Sequence, residues 1–346
     1  MKDFIIVGAG LAGISFAETA LLNNKTFVVI SDTSQNSSIV AAGIYNPVIV
    51  KRLSTPQDVA EHMGYIVPFY DRLDERLNIK VRHEVPLYRK FSSVEEQNNW
   101  FEAADKPSLE PFLSTTIVHD KYECLPSPFG FGEVKHTGYV DTAALVAKYQ
   151  AFLKSAGSFI EETFDYSALV IMDDYISYKG IKAGHIIFAE GFGIHQNPFF
   201  NDLPLGGTKG ELLVIRAPAL QLDVAVNAGI FILPLGNDLY KVGATYEWLD
   251  KTSIPTATGK QELTERLAEV ITCEYEIIQH LAGIRPTVKD RKPLIGTHQG
   301  FKRIHLLNGL GTRGVILGPP MAKDLYNAII FGKPIKKEIN LERFKN

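Results

Sequence analysis

Cysteine is nearly absent: Cys124 and Cys273 are the two in 346 residues. Their spacing offers neither a zinc pattern nor a disulfide framework, and it fits a reducing compartment. Also missing is any stretch of about 18 apolar residues, which excludes a spanning helix. The start does not imitate a secretory signal, because Lys2-Asp3 leads straight into Phe4-Ile5-Ile6-Val7 and Glu18 interrupts the apolar region a signal would need. A cytoplasmic protein is expected. Neither sign of charge dominates, with 36 Lys and Arg against 39 Asp and Glu and a formal net charge of −3. So balanced a chain exerts no global attraction on nucleic acid or anionic lipid. Hydrophobic residues at 45% and charged residues at 22% exclude disorder, collagen and coiled coil as descriptions of the whole.

What is present begins at once. Residues 1–32 read as strand, tight turn, helix and strand: Phe4 to Val7 is a short apolar run, Leu11 to Leu22 repeats apolar residues at helical spacing, and Thr26 to Ser31 is β-branched. Between the first strand and the helix lies Gly8-Ala9-Gly10-Leu11-Ala12-Gly13. Gly8 permits the tight turn, Gly10 lets backbone approach a pyrophosphate, and Gly13 lets the helix pack closely on the strands, with the helix N-terminus facing the anion. The second strand ends in a carboxylate at the distance where an adenosine ribose is usually met, and Ser31 and Asp32 compete for that contact. No Arg or Lys follows directly to accept a ribose 2′-phosphate, so NADP is not suggested.

Further along, helices are predicted at Val94–Ala104, at Asp141–Ser155 with Asp141 as N-cap and Gly157 beyond the end, and at about Gly259–Ile271 behind Thr258 as cap. Strands are expected at 158–164, 168–172, 175–178 and 185–189, through most of 211–245, and near 304–307. An apolar helix then runs to Ile330, with Pro319 and Pro320 placed near its first turn. Glycine-dense strand-helix pieces stand at the start, middle and end, which suggests one discontinuous nucleotide domain interrupted by a second one.

The motifs Gly8 to Gly13, Ser38 to Ile44, Ala189-Glu190-Gly191, Lys209 to Leu213, Val242 to Thr245, Gly283-Ile284-Arg285-Pro286 and Gly309 to Pro319 occur in an order that resembles the D-amino-acid oxidase and glycine oxidase family. The resemblance covers nearly the whole chain, weakly between Arg52 and His136. It implies an α/β fold with a Rossmann-type, discontinuous FAD-binding domain (1–51, 137–205 and 283–346). The second domain (52–136 and 206–282) would be α+β, contain a mainly antiparallel sheet and bind substrate. It implies FAD as cofactor, with Gly8, Gly10, Leu11, Ala12, Gly13 and Ser31 or Asp32 at the dinucleotide turn. Ser37, Ser38, Ala42, Gly43 and Ile44 would lie near the pyrophosphate and flavin, Phe164 would offer backbone to the adenine, and Gly191 would end a strand beside the cofactor. Glu190 departs from the small residue usual in the family. Gly311, Thr312, Arg313, Gly314 and Val315 open the last helix, whose amides can face the flavin and stabilise negative charge that develops on reduction.

For the substrate the resemblance points to Arg285, whose guanidinium forks onto a carboxylate. Arg313 is a second candidate, one position after the Arg of glycine oxidases, where this chain has Thr312. Phe231 falls where several amino-acid oxidases place a substrate-facing Tyr, and Tyr246 follows Val242-Gly243-Ala244-Thr245. The implied reaction is oxidation of a C–N bond in an amino acid or secondary amine, with hydride passing to flavin N5 and the imine hydrolysing in water. Dioxygen is a candidate acceptor. The shifted Gly-Thr-Arg-Gly also resembles the FAD-dependent half of the bifunctional tRNA wobble-uridine modification enzyme, which removes a carboxymethyl group from an amine. Only a modest basic cluster (Lys333, Lys336, Lys337, Arg343, Lys345) would favour RNA. A glycine turn of this kind would also serve a nicotinamide-dependent dehydrogenase or a non-catalytic nucleotide-binding module. The nine histidines show no ligand pair or nucleophile triad, and no metal is expected.

Overall fold

The structure, a computed structural model, describes residues 1–56 and 58–344. The apolar run Lys2–Val7 forms the central strand of an eight-stranded sheet, flanked in parallel by Phe27–Ser31 on one side and Ile181–Phe188 on the other. Phe159–Glu161 extends the first edge in parallel. Ile181–Phe188 is shared on its other edge, its first half pairing with Ile176–Tyr178 and its second half with Ile304–Asn308. These are the strands of a doubly wound sheet, whose carboxyl ends open toward a ligand. The helix Leu11–Leu22 is buried nearly all round, consistent with its almost continuous apolar sequence, and packs against the last helix, Gly314–Phe331.

A second eight-stranded sheet runs in the order Glu276–Arg285, Thr208–Arg216, Leu239–Gly243, Phe231–Gly236, Ala225–Asn227, Leu87–Lys90, Phe131–Val134 and Leu113–Val118. Every pairing is antiparallel except Ala225–Asn227 with Leu87–Lys90. The strand Glu276–Arg285 belongs to this sheet over its whole length, since Thr208 through Arg216 pair along it. A boundary at 282/283 therefore cuts a strand, and Arg285 is carried by the second sheet. The helix Val59–Leu77, not foreseen in the sequence, packs on Gly314–Phe331 instead of on the second sheet.

Local corrections have local causes. The helix expected from Gly259 begins at Ala257, because Thr256 and not Thr258 caps it: Thr256 Oγ1 accepts from the Gly259 amide at 3.0 Å and itself donates to Glu211. Pro319 and Pro320 lie in the second turn of a helix that starts at Gly314. Pro319 cannot donate to the Val315 carbonyl, and the buried Tyr70 hydroxyl does so in its place at 3.0 Å. Tyr70→Phe should therefore cost about 1–3 kcal/mol of stability by leaving a buried acceptor unpaired. A denaturant midpoint equal to the parent's would remove this account of how the prolines are tolerated.

Distant residues also meet in ways spacing could not show. Burial and the adjacent Cys124 thiol hold the Cys273 thiol up at about 11. His185 Nδ1 and His305 Nε2 lie 2.9 Å apart beneath the first sheet, and His305 Nδ1 reaches Thr297 Oγ1 at 2.9 Å. Burial holds both imidazoles below their ordinary value of 6.5, with Arg303 adding to the effect, and His185 is brought down to about 4. Between these values the unfolded chain binds more protons than the folded one, so stability is present above about pH 6.5 and is lost as pH falls toward 4. The melting temperature should drop across that window, and His305→Gln should flatten the slope. An unchanged slope in the variant would assign the acid sensitivity elsewhere. Among the described residues, no helix is long and apolar enough to cross a membrane.

Candidate functional site

A cavity of about 760 Å³ runs from the carboxyl ends of the first sheet to the face of the second. Its first wall is the glycine turn. Gly8 has φ +103°, and a Cβ there would lie 2.4 Å from the Ala189 carbonyl oxygen. At Gly13 a Cβ would lie 1.9 Å from the Gly8 carbonyl oxygen, so only glycine lets the helix start this close to the strand. Gly13 consequently shapes the turn without lining the cavity, whereas Gly8, Gly10, Leu11 and Ala12 line it. Gly10 is the N-cap and supplies no side-chain cap of its own, and the opening turn of this 12-residue helix faces the cavity as a site for an anion. The Leu11 amide donates to Ser38 Oγ at 3.1 Å, and the Ala9 amide donates to Ser31 Oγ at 3.2 Å.

At one end of the cavity lie Ser31, Asp32 and Phe164. The Ser31 hydroxyl is committed to the turn, while Asp32 presents a carboxylate held by Thr163 Oγ1 at 2.7 Å and by the Ser34 amide and hydroxyl. Burial alone would raise the Asp32 pKa, but these hydrogen bonds outweigh it and hold the carboxyl below its ordinary value. Phe164 stacks on Tyr178 at 4.4 Å, which fixes the backbone it offers. Glu190 also lines this end and accepts from the Tyr166 hydroxyl and from Asn197 Nδ2.

In the middle, Ser37, Ser38, Ala42, Gly43 and Ile44 form one wall, and Gly191, Leu310, Gly311, Thr312, Gly314 and Val315 form the other. Asn308, absent from the sequence-level candidates, joins these elements: its Nδ2 donates to the Gly191 carbonyl at 2.9 Å and its Oδ1 accepts from the Gly309 amide. Arg313 is not part of the wall. Its charge is felt by His62 in the Val59–Leu77 helix, and burial lowers its pKa.

The far end is built on the second sheet by Gly210, Leu212, Phe231, Gly243, Ala244, Tyr246 and Arg285. The Arg285 guanidinium lies on Gly210, where a Cβ would come within 2.0 Å of Nη2. It lies 4.6 Å from the Tyr246 ring centroid, and Nη1 donates to the Lys209 and Thr245 carbonyls at 3.4 and 3.3 Å. Among the described residues no carboxylate pairs with it, and burial lowers its pKa while the guanidinium stays charged. The Tyr246 segment is anchored beneath by the fully buried Lys209, whose Nζ reaches Asp250 and the Ile254 carbonyl. Lys241, another residue the sequence did not single out, buries its ammonium behind the 41–43 turn and donates to the Ala41 carbonyl at 2.9 Å. Burial lowers its pKa.

These features fit FAD. The glycine cradle is one that a Cβ would fill, the helix amides suit a pyrophosphate, and the cavity has the volume for a dinucleotide and ends beside an unpaired cation. In the basic C-terminal cluster, by contrast, Lys336 pairs with Asp58 and Arg343 with Asp290, and Lys345 lies outside the described residues.

Comparison with known proteins agrees with the geometry. Residues 3–328 match the family described as DAO, FAD dependent oxidoreductase. The chain is 24% identical to the glycine oxidase of Pseudomonas aeruginosa over 96% of its length and 95% of that protein. It is also 24% identical to the tRNA 5-methylaminomethyl-2-thiouridine biosynthesis bifunctional protein MnmC of Campylobacter fetus, spanning 88% of this chain but 48% of that protein. In fold it resembles the glycine oxidase of Geobacillus kaustophilus, with TM-score 0.80 at 20% identity, covering 96% of this chain and 95% of that one. The iminodiacetate oxidase of Chelativorans sp. gives TM-score 0.77 at 18% identity, covering 97% of each chain. The cradle, the cavity and the family match together place this chain in the DAO family of FAD-dependent oxidoreductases, as an enzyme whose cofactor is FAD.

Proposed function

We propose that the protein oxidises the C–N bond of a small amino acid or carboxylate-bearing secondary amine, with dioxygen as the final acceptor. The observation that carries this reading is Arg285: a part-buried guanidinium inside the FAD cavity with no carboxylate partner among the described residues, set on a glycine and flanked by an aromatic ring. Such a group favours a planar anion over a neutral or cationic ligand. Gly8, Gly10, Leu11 and Ala12 would hold the pyrophosphate, Asp32 and Phe164 the adenosine, and the 311–315 loop the flavin end. When bound, FAD supplies the two-electron acceptor for the oxidation. Arg285 fixes the substrate by its carboxylate, which determines where the carbon bearing nitrogen sits. Phe231 and Leu212 present apolar surface that excludes water from that carbon, and Tyr246 closes the outer side. The lining residues of the second sheet include no carboxylate and no histidine, so that wall offers neither as a base to the reacting amine. The resulting imine hydrolyses in water. The neighbouring free thiols of Cys124 and Cys273 support a reducing compartment such as the cytoplasm.

A second reading rests on the MnmC likeness: the carboxylate on Arg285 would belong to a carboxymethyl group on a modified tRNA base. The match to glycine oxidases over nearly the whole of both chains favours the small substrate. Oxygen uptake by FAD-loaded protein should be measured with glycine, alanine enantiomers, sarcosine and iminodiacetate, with products identified. Turnover yielding a 2-oxo acid and ammonia or an amine is expected. Failure with every small acid, together with salt-sensitive tRNA binding, would transfer the assignment to the second reading.

A further inference from the structure

Glu190 stands where a carboxylate is least expected, at the end of a central strand and inside the wall of the cofactor cavity. Both of its oxygens are held by neutral donors, Oε1 by the Tyr166 hydroxyl and Oε2 by Asn197 Nδ2 at 2.7 Å. Among the described residues no cation pairs with it. Asn197 is fully buried and its Oδ1 accepts from the Phe199 amide at 2.9 Å, so the clamp holds the carboxyl in place within the cavity wall. Across the same space lies Asp32, and the Gln35 side chain approaches from the turn beyond it.

We propose that Glu190 is a second carboxylate acceptor, beside Asp32, for a hydroxyl or amino hydrogen of the adenosine half of FAD, and that it makes retention of the cofactor depend on pH. The proposal rests on the reading of this cavity as the FAD site. Each clamped carboxylate oxygen retains acceptor capacity that neither Tyr166 nor Asn197 uses. An adenosine carries the donors that could use it.

Of the acidic groups around Glu190, it alone is displaced toward pH 6. Burial pushes its carboxyl up to about 6, the Asp32 charge adds to this, and the hydrogen bonds from Tyr166 and Asn197 oppose it. Asp32 and Glu162 both lie below their ordinary values, and Tyr166 is raised by burial and by Glu190, so none of these changes charge near pH 6. His195, on the next turn, packs its ring on Phe192. Donation from adenosine stabilises the ionised form of Glu190, so binding is coupled to release of its proton and weakens as pH falls.

The test is titration of apoprotein with FAD, followed by quenching of flavin fluorescence, from pH 5 to pH 8. In the parent the Kd should be level above pH 7 and should rise roughly tenfold by pH 5, the response of one linked proton. Glu190→Gln should bind more weakly at pH 8 and lose that rise. Adenosine, which keeps the donors and carries no titrating phosphate, should compete with the same pH dependence in the parent, and riboflavin should show none. A melting measurement on the apoproteins separates this from a structural role. Because the folded protein holds the Glu190 proton above its ordinary value, ionisation above about pH 6 opposes folding. The apo Glu190→Gln variant should therefore be at least as stable as the parent at pH 8. An unchanged FAD affinity and slope, or a less stable apo variant with normal affinity, would overturn the role of Glu190. Absence of FAD binding by the parent at every pH would overturn the cavity reading and this proposal with it.

Discussion

Arg285→Ala is expected to weaken binding of a carboxylate substrate by roughly 30- to 1000-fold in the FAD-loaded protein. Removing one partner of a charge-assisted, desolvated pair costs on the order of 2–4 kcal/mol, and 1.4 kcal/mol is a factor of ten. The structure supplies the conditions for such a pair: the guanidinium is part-buried, its protein contacts are the Tyr246 ring and two long hydrogen bonds to carbonyls, and no acidic side chain among the described residues competes for it. Arg285→Lys keeps the charge but loses the planar fork, so it should fall between the parent and the alanine variant. Gly210→Ala offers an independent check. A Cβ at position 210 would lie 2.0–2.3 Å from three guanidinium atoms, so it must displace the group while leaving its charge in place, and affinity should drop in the same direction. The measurement is a titration of the parent and the three variants under anaerobic conditions at matched FAD content. Equal affinities for parent and Arg285→Ala would remove the residue from substrate binding.

Gly10→Val should abolish retention of FAD through purification without unfolding the chain. Gly10 has φ −82° and ψ −170°, a conformation open to any residue, so the backbone is not strained by the change. A Cβ meets only Ser38, with Oγ at 2.9 Å, a side chain that can turn away. The valine methyl groups, however, add bulk at the mouth of the opening helical turn, where Gly10, Leu11 and Ala12 line the cavity. Loss of two charge-assisted amide contacts, about 1.5–3 kcal/mol each, corresponds to a drop of roughly 10²- to 10⁴-fold in affinity. Gly10→Ala should be intermediate. A flavin-to-protein ratio equal to the parent's in the valine variant would mean that this turn does not carry the pyrophosphate.

What the sequence revealed was what local chemistry controls. The helix Leu11–Leu22 and the helix Val94–Ala104 have the expected limits, because apolar spacing and the flanking turn residues agree with their final packing. The glycine turn was readable because φ +103° at Gly8 and the 1.9 Å approach at Gly13 admit no other residue type. By contrast, Val59–Leu77 was hidden by Gly64 and Pro68 inside it, and its helical state depends on burial of Ile66, Phe69, Tyr70 and Leu73. Arg285 could be singled out from its motif, but not the glycine beneath it, since Gly210 is brought there by cross-strand register with Gly283. The roles of Asn308, Lys241 and the Tyr166–Glu190–Asn197 clamp depend on which strand ends meet, and no residue spacing encodes that.

A substrate carboxylate on Arg285, placing a C–N bond against FAD, is the feature on which the proposed activity depends. Anaerobic mixing of FAD-loaded protein with matched pairs, glycine with methylamine and sarcosine with dimethylamine, tests it most directly through loss of the flavin's visible absorption. At least one acid should bleach the flavin in a saturable way, its carboxylate-free partner should not, and Arg285→Ala should shift the acid's half-saturation upward. Bleaching by the amines as readily as by the acids, with no effect of the Arg285 substitution, would contradict it.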